Sequence, residues 1–223
     1  MVWRPPTPPT ALSSASVGGG LTAPAWVLNA AVDAGFARTD LEEYVAELAA
    51  SLRLEGHGCA LLTAADVGQV RTAEDGGVQA WATVGVTRPT WAVRPGHART
   101  PADGRVTTFV HEGSGPPAPG TVNIVVSLPV PLTTSALVQA VGTATEAKAQ
   151  ALLEAGVPGT GTASDAVVVA CPPADGVEVA FAGVRSTWGS RVARAVRAAV
   201  ADGLAAHPWP PPDAAPDEVG VVW

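Results

Sequence analysis

A chain of 223 residues in which 47% are apolar and 15% charged carries enough apolar material for one continuous core, which excludes a disordered class. A net charge of −7 without a basic stripe argues against nucleic acid as a partner. The start Met1-Val2-Trp3-Arg4 has no apolar signal core and no run approaches the roughly 20 apolar residues of a membrane helix, so a cytoplasmic protein without a membrane partner is expected.

Residues 1–10 are Pro-rich and read as extended chain, with Leu12-Ser13-Ser14-Ala15 leading into a loop at Gly18-Gly19-Gly20. Thr39 and Glu42 have capping-box spacing, and Leu41, Tyr44, Val45, Leu48 and Leu52 recur at helical spacing, which predicts a helix over 40–54. A short strand over 57–62 follows, and the small residues Thr63-Ala64-Ala65-Asp66 mark a strand-to-helix turn. Alternation at Val78, Ala80, Ala82, Val84 and Val86 predicts a strand over 78–86, and 105–111 alternates similarly, with loops at 88–104 and 113–120.

The most apolar strand is expected over 121–130. Val122, Ile124, Val126 and Leu128 share one face, while Thr121, Asn123, Val125 and Ser127 put a polar stripe on the other. Pro131 and Thr133-Thr134 start a long helix ended by Gly156 and Pro158, and Gly159-Thr160-Gly161-Thr162 makes a tight loop. Strands over 166–171 and 177–182 and a helix over 188–207 complete the domain, with the Pro-rich 208–223 as a tail. This order predicts one α+β domain over 1–207, a mixed β-sheet with packed helices, for which an αββα layering is one arrangement. Cys59 and Cys171 lack metal or redox spacing and read as buried thiols; Arg191, Arg194 and Arg197 read as a solvated helix face, and no metal site is expected.

Several separated segments together resemble the adenosylcobinamide amidohydrolase family. They are Leu12-Ser13-Ser14-Ala15 with Gly18-Gly19-Gly20-Leu21, Thr63-Ala64-Ala65-Asp66-Val67, Gly120-Thr121-Val122-Asn123-Ile124, Thr143-Ala144-Thr145-Glu146-Ala147-Lys148, and Gly159-Thr160-Gly161-Thr162. The resemblance implies hydrolysis of the amide that joins the aminopropanol arm to the corrinoid of adenosylcobinamide, giving adenosylcobyric acid and 1-amino-2-propanol for cobalamin salvage. It implies a corrinoid substrate whose cobalt takes no part in the cut, and no cofactor. The chain departs from the family pattern at Arg88 and Arg185, where Asn and His are expected.

Amide hydrolysis needs a nucleophile, a proton acceptor and donors to the oxyanion, and the chain has neither a GxSxG elbow nor an HExxH helix. His57, His97, His111 and His207 are scattered and read as ordinary surface or satisfied histidines. At 100° per residue Thr145 and Lys148 share one helix side and Glu146 lies about 200° from Lys148. Glu146 is the expected acid/base and Lys148 a structural charge, with Thr121 and Thr162 as the other catalytic candidates. Asn123, Ser127, Thr145, Thr160, Asp165 and Trp91 are expected to line the substrate site, Trp91 by stacking on the corrin rim. The mechanism is open between water attack assisted by Glu146 and covalent catalysis by a threonine. Two other readings are a corrinoid-binding protein without hydrolysis, and a self-processing aminopeptidase-like enzyme with Thr121 as an N-terminal nucleophile. A homo-oligomer is compatible with all three.

Overall fold

The computed structural model of the chain describes residues 1–33, 35–93 and 120–210. The elements are β1 (Val2–Trp3), β2 (Thr10–Ser13), β3 (Gly20–Thr22), β4 (Trp26–Ala31), α1 (Leu41–Ser51), β5 (Gly58–Thr63), β6 (Arg71–Asp75), β7 (Val78–Gly85), β8 (Thr121–Ser127), α2 (Thr134–Glu154), β9 (Ala166–Cys171) and α3 (Thr187–Ala206). They form a three-stranded sheet, β1-β4-β5, and a six-stranded sheet, β3-β2-β9-β8-β7-β6. The β4–β5 and β8–β9 pairs are parallel and the others antiparallel, so the fold is α+β with mixed sheets.

Alternation along each strand sorts side chains into three apolar layers. Val78, Ala80, Val122, Ile124, Val126, Val167 and Val169 of the large sheet pack against Leu137, Ala140, Ala144 and Leu152 of α2 and Val192, Val196 and Val200 of α3. The opposite residues of the same strands, Val125, Val168 and Ala170, meet Val27, Cys59 and Leu61 of the small sheet. Trp26, Leu28, Ala30 and Ala60 turn the other way, onto Val45 and Ala49 of α1. The layering is therefore αββα. Each strand of the centre is covered on both faces, which is why β8 and β9 are apolar almost throughout.

Several expectations change. The segment 177–182 is not a strand: Val179 makes one bridge to Leu132, its N–H donating to Pro131 at 2.9 Å and its carbonyl accepting from Thr133 at 3.1 Å, and the segment then lies along α2. Asp40, not Thr39, caps α1, and its carboxylate bonds to Arg38 instead of to the helix. The turn after β5 opens only a 3-10 turn, Val67–Gln69, with Asp66 accepting from the Gly68 N–H at 2.8 Å. β8 stops at Ser127 because Pro129 and Pro131 follow. Arg194 and Arg197 are exposed but pair with Asp75 and Glu154. The expected strand over 105–111, most of both long loops, His97, His111 and most of the tail lie outside the described residues.

Between the two sheets sits a polar network. Asn123 is 1% exposed, and its Nδ2 donates to the Leu62 carbonyl and to Asn29 Oδ1, both at 3.0 Å. Because a backbone carbonyl only accepts, the atom facing Leu62 must be the nitrogen, which fixes the amide's orientation. Asn29 Nδ2 in turn donates to Thr83 Oγ1 at 2.9 Å. The network ties β4 and β5 to β7 and β8 near one end of the sheets. Asn123→Ala leaves the Leu62 carbonyl and Asn29 Oδ1 without a donor and is expected to destabilise the fold by about 2–3 kcal/mol. Urea unfolding checks this; a loss under about 0.5 kcal/mol would remove the network from the account.

Candidate active site

The C-terminal ends of β2, β4, β5 and β7 and the N-terminal ends of β8 and β9 all lie at one end of the two sheets. Segments scattered along the sequence meet there. Ser14 Oγ accepts from the Val167 N–H at 3.0 Å, which brings the 12–15 segment to the start of β9. A Cβ on Gly85 would lie 2.9 Å from the Ala65 Cβ, so the 63–66 turn packs on the end of β7. Thr90 and Gly161 pair backbone to backbone, with the Thr90 N–H donating to the Gly161 carbonyl at 2.8 Å and the Thr160 N–H to the Thr90 carbonyl at 2.9 Å.

At the centre of this end stands Asp165, with a side chain 9% exposed. Its Oδ1 accepts from the Thr162 hydroxyl at 2.5 Å and from the Val122 N–H at 2.8 Å. Its Oδ2 accepts from the Thr162 N–H at 3.1 Å and from the Lys148 ammonium. One carboxylate thus joins α2, β8 and the 159–165 loop. Lys148 reaches it from the buried side of α2, between Ala144, Ala147, Ala151 and Leu152. Gly161 makes the approach possible: a Cβ there would lie 2.4 Å from Asp165 Oδ2 and 2.6 Å from Lys148 Nζ.

Beside this group, Thr121 Oγ1 and Ser164 Oγ share a hydrogen bond of 2.9 Å. Thr121 is 3% exposed, whereas Ser164 faces solvent. Thr162 is half-buried, and its hydroxyl is bonded to a carboxylate. Burial pushes the Cys59 and Cys171 thiols above their ordinary value, so neither is a ready thiolate nucleophile at neutral pH.

The expected site residues divide sharply. Thr121, Thr162 and Asp165 come together, and Thr160 and Trp91 sit on the paired backbone segments that border them. Glu146 does not join them: it is exposed with Gly142 and Gln150 on the outer side of α2, while Lys148 is on the inner side. Thr145 is also on the outer side, its hydroxyl spent on the Val141 carbonyl at 2.9 Å. Asn123 is turned into the inter-sheet network. Ser127 ends β8, six residues from Thr121 and therefore about 20 Å away at the rise of an extended strand.

The profile of the adenosylcobinamide amidohydrolase family matches residues 1–210. The chain belongs to that family. It is accordingly an amidohydrolase, acting on an amide bond. Two similar relatives bear the same description. An adenosylcobinamide amidohydrolase of Methanosarcina mazei is 29% identical over 199 residues, 86% of this chain and 88% of the relative. One of Halobacterium salinarum is 37% identical over 154 residues, 69% of this chain and 61% of the relative. No solved structure matches. Among the described residues no helix is long and apolar enough to cross a membrane.

Lys148, Ser164 and the Val122 N–H are the parts of this site that sequence reasoning undervalued. The signal for Lys148 was present, since positions 144, 147, 151 and 152 around it are all small or apolar and mark a buried helix side.

Proposed function

We propose that the chain hydrolyses the amide between the aminopropanol arm and the corrinoid of adenosylcobinamide, giving adenosylcobyric acid and 1-amino-2-propanol and returning the ring to cobalamin synthesis. The family and the names of both relatives support this substrate. They favour neither of the other readings, corrinoid binding without hydrolysis or self-cleavage before Thr121. The observation that carries the chemistry is the 2.5 Å bond from the Thr162 hydroxyl to Asp165, a carboxylate itself held by Lys148 and the Val122 N–H. A nucleophile on a base, with the base oriented by further groups, is the arrangement covalent acyl transfer requires.

In this reading Thr162 Oγ1 attacks the amide carbon and its proton passes to Asp165 Oδ1. The tetrahedral intermediate collapses by breaking the C–N bond, and Asp165 returns the proton to the departing amine. Water then attacks the Thr162 ester and gives a proton to Asp165; the bond from the acyl carbon to Thr162 Oγ1 breaks, Asp165 returns the proton to Oγ1, and the corrinoid carboxylic acid leaves. The cobalt stays in the substrate and no cofactor enters. Thr121, Ser164, Thr160 and Trp91 border the substrate.

Incubation with adenosylcobinamide, followed by mass spectrometry, should show adenosylcobyric acid and 1-amino-2-propanol in equal amounts. Recovery of unchanged adenosylcobinamide from a folded protein would overturn the reading. Glu146→Gln is expected to keep turnover within about twofold, because an exposed carboxylate on the outer side of α2 meets none of these atoms. A hundredfold loss in that variant would return the acid/base role to Glu146.

A further inference from the structure

Lys148 has three N–H donors and, among the described residues, one acceptor partner, Asp165 Oδ2. Its side chain is 8% exposed, and its neighbours on α2 are Ala144, Ala147, Ala151 and Leu152, none of which offers an acceptor side chain. Gly161 has no side chain to cover the ammonium, since a Cβ there would lie 2.6 Å from Nζ. Holding an ammonium here costs desolvation that one ion pair offsets only in part, and an apolar side chain of similar length would clamp nothing but would fill the space at lower cost. A clamp alone therefore leaves two of the three donors without a task.

The placement of Thr162 supplies one. Thr162 Oγ1 and Lys148 Nζ bond to the two oxygens of the same Asp165 carboxylate. A carbonyl carbon within attacking distance of Thr162 Oγ1, about 3–3.5 Å, is therefore held beside the carboxylate that Nζ also binds. Negative charge develops on the carbonyl oxygen as the hydroxyl adds, and reappears on the carboxylate product. A fixed cation in a largely dry site stabilises both far more than it does a neutral amide.

We propose that Lys148 is a catalytic residue as well as the anchor of Asp165: its free donors stabilise the oxyanion formed at the scissile amide and bind the carboxylate of the product. This rests on the reaction proposed above. It makes the site selective for a ligand whose carbonyl carbon gains negative charge, and it makes the acid product bind more tightly than its neutral amide.

The test is calorimetric and kinetic, on the full chain. Wild type is titrated with adenosylcobyric acid and, with turnover blocked by Thr162→Val, with adenosylcobinamide; both titrations are repeated in a Lys148→Met background. We expect Lys148→Met to weaken binding of the acid at least tenfold and binding of the amide by less than threefold, and to lower kcat at least a hundredfold. Equal weakening of both ligands, or unchanged affinity for the acid, would overturn the proposal and leave Lys148 a structural clamp. If Lys148→Met does not fold, Lys148→Arg serves, expected to hold the acid within threefold of wild type while kcat falls at least tenfold; loss of acid binding in a folded Lys148→Arg would be the contrary result. The binding arm needs no turnover. A wild type that prefers the acid but never cuts the amide refutes the proposed hydrolysis without touching the anion site, and one that cuts the amide yet shows no such preference does the reverse.

Discussion

Asp165→Ala is expected to destabilise the protein by about 3–5 kcal/mol, the range for removing one partner of a buried ion pair. The reason is what remains behind. The Lys148 ammonium, 8% exposed, loses its counter-charge, and the Val122 and Thr162 N–H groups lose their acceptor. Three elements then part company, since the carboxylate is what joins α2, β8 and the 159–165 loop. Urea unfolding of wild type and variant measures the difference. The double variant Asp165→Ala with Lys148→Met should recover part of the loss, because the orphaned charge goes with its partner. A single-variant loss below about 1 kcal/mol would show that solvent already reaches the pair.

Thr162→Val should leave the fold intact and lower kcat by at least about a hundredfold. Valine keeps the shape of threonine and the backbone N–H that donates to Asp165 Oδ2, so only the hydroxyl on Oδ1 is lost. Thr162→Ser keeps a hydroxyl and should retain measurable turnover. Equal activity of the valine variant and wild type would remove Thr162 as nucleophile and leave Asp165 free to activate water directly.

The parts of the fold that were legible in the sequence are those with clean periodicity. β7 alternates residue by residue, α3 repeats apolar residues at helical spacing, and β9 lies between a capping loop and a proline pair at Pro172-Pro173. β4 was not legible, because Trp26-Val27-Leu28-Asn29-Ala30-Ala31 is covered on both faces and so shows no alternation. β6 is an edge strand of charged residues, Arg71-Thr72-Ala73-Glu74-Asp75, with little apolar signal. A hairpin signal did exist there. Gly76 and Gly77 form a two-residue turn with φ of 55° and 89°, the left-handed pair such a turn demands, and Asp75 pairs with Val78 across it. The segment 177–182 misled in the opposite sense: its alternating Val177, Val179 and Phe181 look like a strand, yet Val177 and Phe181 are exposed.

At the site, helix geometry correctly separated Glu146 from Lys148, but the choice between them turned on which side of α2 is buried. Nothing packs closely on the Glu146 side: no atom lies within 4 Å of a Cβ built at Gly142, one turn away. The close approach occurs at Gly161, and only the folded loop reveals that Asp165 and Lys148 crowd it. Asn123 and Thr121 were correctly read as an unusual polar stripe. Their separate fates, one in a network between sheets and one beside Ser164, depend on residues 29, 62 and 164, which no local pattern connects to them.

The most direct test of the account is the rate at which 1-amino-2-propanol is released from adenosylcobinamide by wild type, Thr162→Val and Glu146→Gln, followed side by side by mass spectrometry. Release by wild type and Glu146→Gln at similar rates, with Thr162→Val at least a hundredfold slower, is the predicted result. Release by Thr162→Val with none by Glu146→Gln would contradict it and move the chemistry to the outer side of α2.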